Sequence, residues 1–209
     1  MLDFGSLIYR VPAFLFAIAI HEYAHALCAD ELGDPTPRYS GRLTLNPLAH
    51  LDIVGALLLI VCGFGWAKPV EVDARYFKNP QTDMLKVSLA GPGANLFLCF
   101  LALLVMNVMS KMGMLSGGVR QLLMWMVYIN VWFAFFNLIP LPPLDGFRII
   151  TAILPAKQAW SFETFIYNNS QFCMIALIGL VYLGVTDAII KPLARMYILL
   201  ITSVLGIIF

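Results

Sequence analysis

Residues 4–28 read FGSLIYRVPAFLFAIAIHEYAHALC, and this mostly apolar stretch decides the class of fold. It is long enough to cross a membrane as a helix, which takes about 20 predominantly apolar residues. It lacks a basic N-terminal region and a small-residue cleavage site, so we interpret it as a retained helix rather than a signal peptide. Its polar end, HEYAH at 21–25, is costly in a membrane unless those groups are paired or functional.

The composition of the whole chain also indicates a lipid bilayer as the surrounding medium. Hydrophobic residues make up 61% of the 209 residues, charged residues only 12%, and the mean hydropathy is +0.85. A soluble domain has about 25% charged residues. The net charge of +1 gives no basic surface of the kind that binds nucleic acid.

Further apolar segments predict several more spans. The candidates are 85–109, 122–139, 172–190 and 193–209, of which the last two are separated only by Lys191-Pro192. Residues 51–66 are apolar but short and broken by glycines, which favours a re-entrant hairpin. The sequence therefore predicts an all-α polytopic membrane protein with about five to six transmembrane helices, in which residues 1–209 form a single domain.

Two segments have the pattern of β-strands. Apolar and charged residues alternate along 70–77, and a weaker pattern covers 41–45, closed by Asn46-Pro47. The two could pair as a small membrane-associated β-sheet.

The distribution of positive charge predicts the orientation of the chain. Between residues 26 and 83 lie five Lys or Arg residues, whereas the loop 108–121 has two. Positive charge accumulates on the cytoplasmic side of membrane proteins. We therefore expect the longer segment to lie in the cytosol.

The sequence His21-Glu22-Tyr23-Ala24-His25 has the form H-E-x-x-H. Residues four apart lie on one helical face, so both imidazoles can bind one metal ion. Glu22 can act as general base toward a water molecule that the metal activates. In a soluble helix this motif also arises by chance, but three ionisable groups at the end of an apolar segment favour the metal interpretation.

A catalytic zinc ion takes three protein ligands and keeps one open position. His50 is the only other histidine and lies in a polar linker, so we favour Asp145 as the third ligand. Asp145 follows three prolines that must unwind the chain, and irregular backbone at membrane depth usually lines a cavity. The alternative is that Asp145 and Gly146 only form a turn at the membrane boundary, which the spacing does not exclude. Two imidazoles and a carboxylate suit zinc, although iron or cobalt would also fit.

The HEYAH motif and the segment 137–146, NLIPLPPLDG, together resemble the paired signature of the site-2 protease family of intramembrane zinc metalloproteases. Segments 42–48, 65–70 and 89–96 resemble sequences of the compact bacterial and archaeal members that have no PDZ or CBS domain. The likeness covers about residues 8–150. Phe147 stands where many relatives have a second glycine, which could narrow the cavity.

The resemblance implies a three-helix core around one zinc ion per chain, held by His21, His25 and Asp145. It implies that Asn95 lies near the site, where its amide could bind the substrate backbone or a developing oxyanion. It also implies a site that opens to the cytosol from the plasma membrane and acts in regulated intramembrane proteolysis. The catalytic core would cover about 8–150, with additional C-terminal helices at about 172–209.

A membrane protein with a transmembrane segment is the expected substrate, and its helix must unwind before a peptide bond can be hydrolysed. The unwound backbone needs new hydrogen-bond partners. The predicted strand at 70–77 offers an edge for β-augmentation, so we expect Val70 and Val72 to bind the substrate. A strand that only covers the membrane face is an equal alternative.

Two other functions fit parts of the sequence. A divalent-metal transporter would also place histidine and aspartate in a membrane, but it leaves Glu22 without a task. A catalytically silent membrane binding protein would be expected to have lost Glu22.

Overall fold

The computed structural model describes residues 4–52, 55 and 67–208, and most of these residues are helical. Two short 3-10 helices cover Pro47–Ala49 and Ala74–Tyr76. The α-helices in the described ranges are α1 (Phe4–Glu31), α2 (Thr36–Tyr39), α3 (Pro80–Lys111), α4 (Gly117–Asn137), α5 (Asp145–Ile153), α6 (Ala156–Asn168), α7 (Ser170–Tyr182) and α8 (Val185–Ile208).

Four helices of the described part, α1, α3, α4 and α8, are long and apolar enough to span a membrane. The helices α6 and α7 are bent by 83° and would add a fifth span only if they count as one. The described residues thus provide four candidate spans, or five with this bent pair, against the five to six that the sequence predicted. The predicted hairpin at 51–66 lies almost wholly outside them.

The predicted boundary between the last two spans is wrong. Gly184, with φ of +72°, ends the 13-residue α7, and α8 begins at Val185. Lys191 and Pro192 lie inside α8, where the Lys191 Nζ atom pairs with Asp187 Oδ2 at 2.8 Å. Because the lysine pairs with an aspartate one turn earlier, the helix continues through a position where the sequence predicted a break.

The helices α1, α3 and α4 form the centre of the molecule, and small residues let them approach closely. Ala17, Ala26 and Ala29 of α1 are completely buried, and so is Ala134 of α4. In membranes, where lipid is as apolar as leucine, small residues at helix interfaces allow close van der Waals packing. The helix α8 packs on the outside of α3 and α4, where Leu205 joins the buried cluster around Cys99 and Val127.

The predicted β-sheet is also wrong. Within the described residues the chain has no strand, only an isolated bridge between Leu51 and Ala67. In the segment 70–77, the backbone N–H of Val70 donates to Glu22 Oε2 at 3.1 Å, and that of Asp73 donates to Asp34 Oδ2 at 2.7 Å. The Asp73 side chain then caps the 3-10 helix by accepting from the N–H of Arg75. The carboxylates of Glu22 and Asp34 thus accept from backbone N–H groups that would otherwise bond to a neighbouring strand.

The alternation in this segment therefore has another cause. Val70 and Phe77 are buried, and Val72 packs against the cluster of Ala29, Phe77 and Val87. One face of this segment covers the C-terminal part of α1 and the N-terminal part of α3 without forming a strand, and after the 3-10 helix Ala74–Tyr76 it is Phe77 and not Tyr76 that is buried. In the second predicted strand, at 41–45, the buried Arg42 guanidinium donates to the carbonyls of Ala49 and Lys68 and holds an irregular loop.

Candidate metal centre

His21 and His25 lie one turn apart on α1, and both are buried against α3. Their Nε2 atoms are 3.1 Å apart, with the ring planes nearly perpendicular at 85°. The ring of Phe133 on α4 packs against His21 with the centroids 4.8 Å apart, so the pair is covered from a third helix. The spacing of the two histidines thus brings two ligand atoms to one point.

Asp145, the first residue of α5, supplies a third ligand atom at the same point. Its Oδ2 atom lies 3.2 Å from His21 Nε2 and 3.3 Å from His25 Nε2. Ligands about 2.0–2.1 Å from a tetrahedral zinc ion are spaced about 3.3–3.4 Å apart. The three atoms therefore form a triangle of the size that such an ion requires, and they leave one coordination position open.

The charge state of Asp145 suits a metal ligand. Burial by itself would raise the pKa of this carboxyl, but His25 and His21, when protonated in the absence of a metal ion, outweigh burial and hold the pKa below its ordinary value. The side chain is thus a carboxylate at neutral pH, the form that binds metal ions.

The second ring nitrogen of each histidine has its own partner. His21 Nδ1 donates to Asn95 Oδ1 at 2.6 Å, and His25 Nδ1 donates to the carbonyl oxygen of Val87 at 2.7 Å. A proton on Nδ1 leaves the Nε2 lone pair free, and such outer partners orient metal-binding imidazoles. Both imidazoles are therefore held with a proton on Nδ1 and with Nε2 facing Asp145.

Asn95 belongs to a buried chain of amides that sequence reasoning missed. Its Nδ2 atom donates to Asn130 Oδ1 at 2.8 Å and to the carbonyl of Ala17 at 3.1 Å. Asn130 in turn donates to the carbonyl of Met126 at 2.8 Å, and both asparagines have 0% exposure. The only sign in the sequence is an amide inside the apolar helix α4. The expected donation from the Asn95 amide to a substrate carbonyl or an oxyanion thus competes with its bonds to Ala17 and Asn130.

Two glycines make room for the centre. A Cβ atom at Gly91 would overlap His25 Nε2 and would lie 2.7 Å from His21 Cε1. A Cβ atom at Gly146 would overlap the carbonyl oxygens of Leu138 and Ile139, at the irregular turn that the prolines produce between α4 and α5. Gly91 lets α3 approach the imidazoles, and Gly146 lets Asp145 reach them.

Glu22 lies beside the ligands on α1 and is 8% exposed. Its Oε2 atom accepts a hydrogen bond from the backbone N–H of Val70 at 3.1 Å. This bond ties the extended segment 67–73 to the proposed base. His50 lies outside the group and donates from Nε2 to the Thr44 carbonyl at 2.8 Å.

Comparison with known proteins identifies relatives of this chain. The profile of Peptidase family M50 matches residues 106–181. The chain is 43% identical over 152 residues to the candidate zinc metalloprotease YwhC of Bacillus subtilis. The aligned region covers 70% of the chain and 69% of that relative. No solved structure gives a significant match.

More distant relatives have similar names. The candidate zinc metalloprotease Rip2 of Mycolicibacterium smegmatis is 30% identical over 175 residues, or 76% of the chain and 65% of the relative. Zinc metalloprotease MJ0392 of Methanocaldococcus jannaschii is 29% identical over 120 residues, or 56% of the chain and 34% of the relative.

Proposed function

The chain belongs to peptidase family M50, and we propose that it is a zinc metalloprotease that hydrolyses peptide bonds within or near the transmembrane segments of other proteins. The observation that carries this proposal is the triangle of His21, His25 and Asp145 next to Glu22, with both histidines on a helix long and apolar enough to span a membrane. One zinc ion per chain is the expected cofactor.

The donor set supports this metal. His21, His25 and Asp145 would hold the ion, and when bound there zinc supplies Lewis-acid chemistry that polarises a carbonyl and lowers the pKa of water. Glu22 takes the proton of the water that attacks the scissile carbonyl and later delivers it to the leaving amine. The Val70 N–H holds the Glu22 carboxylate in one orientation, so the base does not have to be ordered during the reaction.

The extended segment 67–73 is the proposed contact for an unwound substrate, although it forms no strand. Within the described residues, the N–H groups of Glu71 and Val72 have no hydrogen-bond acceptor. They follow directly after Val70, which is bonded to the base. A substrate chain that lies along this segment would place its backbone next to Glu22. Val70 and Val72 are thus proposed to contribute backbone contacts and packing.

This proposed contact can be tested by removing one N–H group. Glu71 is exposed, so Glu71→Pro changes the backbone donor with little effect on packing. Glu71→Ala, which keeps the N–H group, is the matched control. We expect cleavage of a membrane peptide to fall about 10-fold in Glu71→Pro, the loss of about one net hydrogen bond, with unchanged zinc content. Equal rates for the two variants would reject the contact.

The orientation of the site remains part of the proposal. The excess of Lys and Arg between residues 26 and 83 supports a site that opens to the cytosol, with the plasma membrane as its location. Water for the reaction would then enter from the side where segment 67–73 lies.

The experiment for the function as a whole uses purified protein in vesicles with a reporter peptide that spans the membrane. Chelation should stop cleavage, and zinc should restore it. Mass spectrometry of the fragments should place the cut inside or beside the apolar segment. Zinc flux into the vesicles without cleavage would favour a transporter instead.

A further inference from the structure

A large cavity lies between α1, α4 and α8, and Phe133, which packs against His21, is part of its wall. Its volume is about 1100 Å³. Pockets for small organic ligands measure about 300–1,000 Å³, so this cavity has room for a sizeable molecule. Apolar and aromatic side chains form most of its wall, among them Phe14, Leu15, Trp125, Tyr128, Ile198 and Leu199.

Four charged side chains also line the cavity: Arg10, Asp187, Lys191 and Arg195. The Lys191 Nζ atom pairs with Asp187 at 2.8 Å, and the other carboxylate oxygen of Asp187 accepts from Trp132 Nε1 at 3.1 Å. The single carboxylate is thus already in use. Within the described part of the chain, neither Arg10 nor Arg195 has a carboxylate within 4.0 Å.

Both arginines lie in helices that are candidate membrane spans. Arg10 is within the first two turns of α1, and Arg195 lies near the middle of the 24-residue α8. The Arg10 guanidinium stands over the Trp125 ring, 4.9 Å from its centroid. This contact orients the guanidinium but supplies no full negative charge. A cation in a membrane needs a counter-charge, and none of the described carboxylates provides one to either arginine.

We propose that this cavity binds an anionic phospholipid, with its acyl chains against the apolar wall and its phosphate between Arg10 and Arg195. Guanidinium groups bind phosphate oxygens through paired hydrogen bonds. The two charges are present in the resting protein, so their partner must be constantly at hand. Lipid meets that condition, whereas a protein substrate is only transient.

The proposal rests on membrane insertion and does not require protease activity. Trp125 and Trp132 line the cavity and report on its contents by fluorescence. The protein is reconstituted in phosphatidylcholine vesicles that contain a minor fraction of brominated phosphatidylglycerol or, for comparison, brominated phosphatidylcholine. We expect the anionic lipid to quench several-fold more strongly. In the double variant Arg10→Gln/Arg195→Gln, the two lipids should quench equally. The variant Arg10→Lys/Arg195→Lys should keep most of the preference.

A matched control removes the same net charge elsewhere. Arg38 and Arg75 are exposed and pair with Asp30 and Asp73, away from the cavity. The variant Arg38→Gln/Arg75→Gln should quench as the wild type does. Zinc content, equal in all variants, checks that the fold is intact.

Equal quenching by the two lipids in the wild type would overturn the proposal. So would a lipid preference that persists in Arg10→Gln/Arg195→Gln. If the preference persists while that variant cleaves peptides with acidic flanks more slowly, the cavity holds the substrate and not a lipid.

Discussion

The helices α1 and α8 are both long and apolar enough to span a membrane, yet they relate to the rest of the molecule in opposite ways. In their most apolar windows, 44% of the residues of α1 are buried but only 11% of those of α8. Buried residues of α1 include the polar His21, Glu22 and His25, whereas α8 exposes Leu199 and Leu200. Two helices of similar hydropathy therefore have different roles. The inner helix encloses polar chemistry, and the outer helix mainly faces lipid.

The difference follows from the cost of polar groups in a membrane. Three polar groups of α1 at the centre have a hydrogen-bond partner outside that helix: His21 bonds to Asn95, His25 to Val87, and Glu22 to Val70. Such groups can persist only where neighbouring elements satisfy them. The inner helices must therefore stay close together, and the substitutions below test how close.

The largest expected effect comes from α3, where backbone approaches the two imidazoles. Gly91→Ala would place a methyl group on His25 Nε2, so we expect zinc affinity to fall at least about 100-fold, more than the loss of an outer partner costs. Gly93→Ala is the matched control, because a Cβ atom there meets nothing within 4 Å. Titration with a competing chelator measures both. Equal affinities would mean that the helices are not as close as described.

A smaller effect is expected from Asn130, two partners away from the ligand atom. Asn130→Leu removes the acceptor that orients the Asn95 amide, which in turn fixes the His21 tautomer. We expect zinc affinity to fall about 10–100-fold, the usual loss for outer partners of metal ligands. Asn107→Leu is the control: this position lies near the C-terminal end of α3, and the variant should bind zinc as the wild type does. If Asn130→Leu lowered only the stability of the fold, its role would be packing.

The smallest effects compare the two helices directly. Ala17→Leu inserts a bulky side chain at a completely buried position of α1 and should lower the free energy of unfolding by about 1–3 kcal/mol. Leu200→Ala, at a position of α8 that is 61% exposed, should change it by less than about 0.5 kcal/mol. Unfolding in mixed detergent micelles measures both values. Similar losses would show that α8 is packed as tightly as α1.

The sequence predicted the parts of this fold that depend on local pattern. Length and apolar character are enough to find α1, α3 and α4. The spacing of His21 and His25 places two ligands on one face of a helix. The position of Asp145 beside them depends on the turn between α4 and α5 and on Gly146. Spacing alone could not exclude a simple turn there; the prolines before Asp145 favoured it as the third ligand, and the resemblance to a family implied the same.

The wrong or missed predictions share one physical cause. Side chains distant in the sequence or one turn away bond to backbone N–H groups, charges or amides, and a local pattern does not reveal these bonds. Alternation along 70–77 predicted a strand, but the carboxylates of Glu22 and Asp34 take its donors. Lys191-Pro192 looked like a break, but Asp187 pairs with the lysine inside α8. Asn130 gave no motif, because its partner Asn95 lies 35 residues away in the sequence.

The central claim is that Glu22 acts as the base beside a metal held by other residues. Glu22→Gln tests it most directly, because the amide oxygen can still accept from the Val70 N–H while the basic carboxylate is lost. We predict unchanged zinc content and a loss of membrane-peptide cleavage of at least about 100-fold. Cleavage by Glu22→Gln at the rate of the wild type would contradict the account.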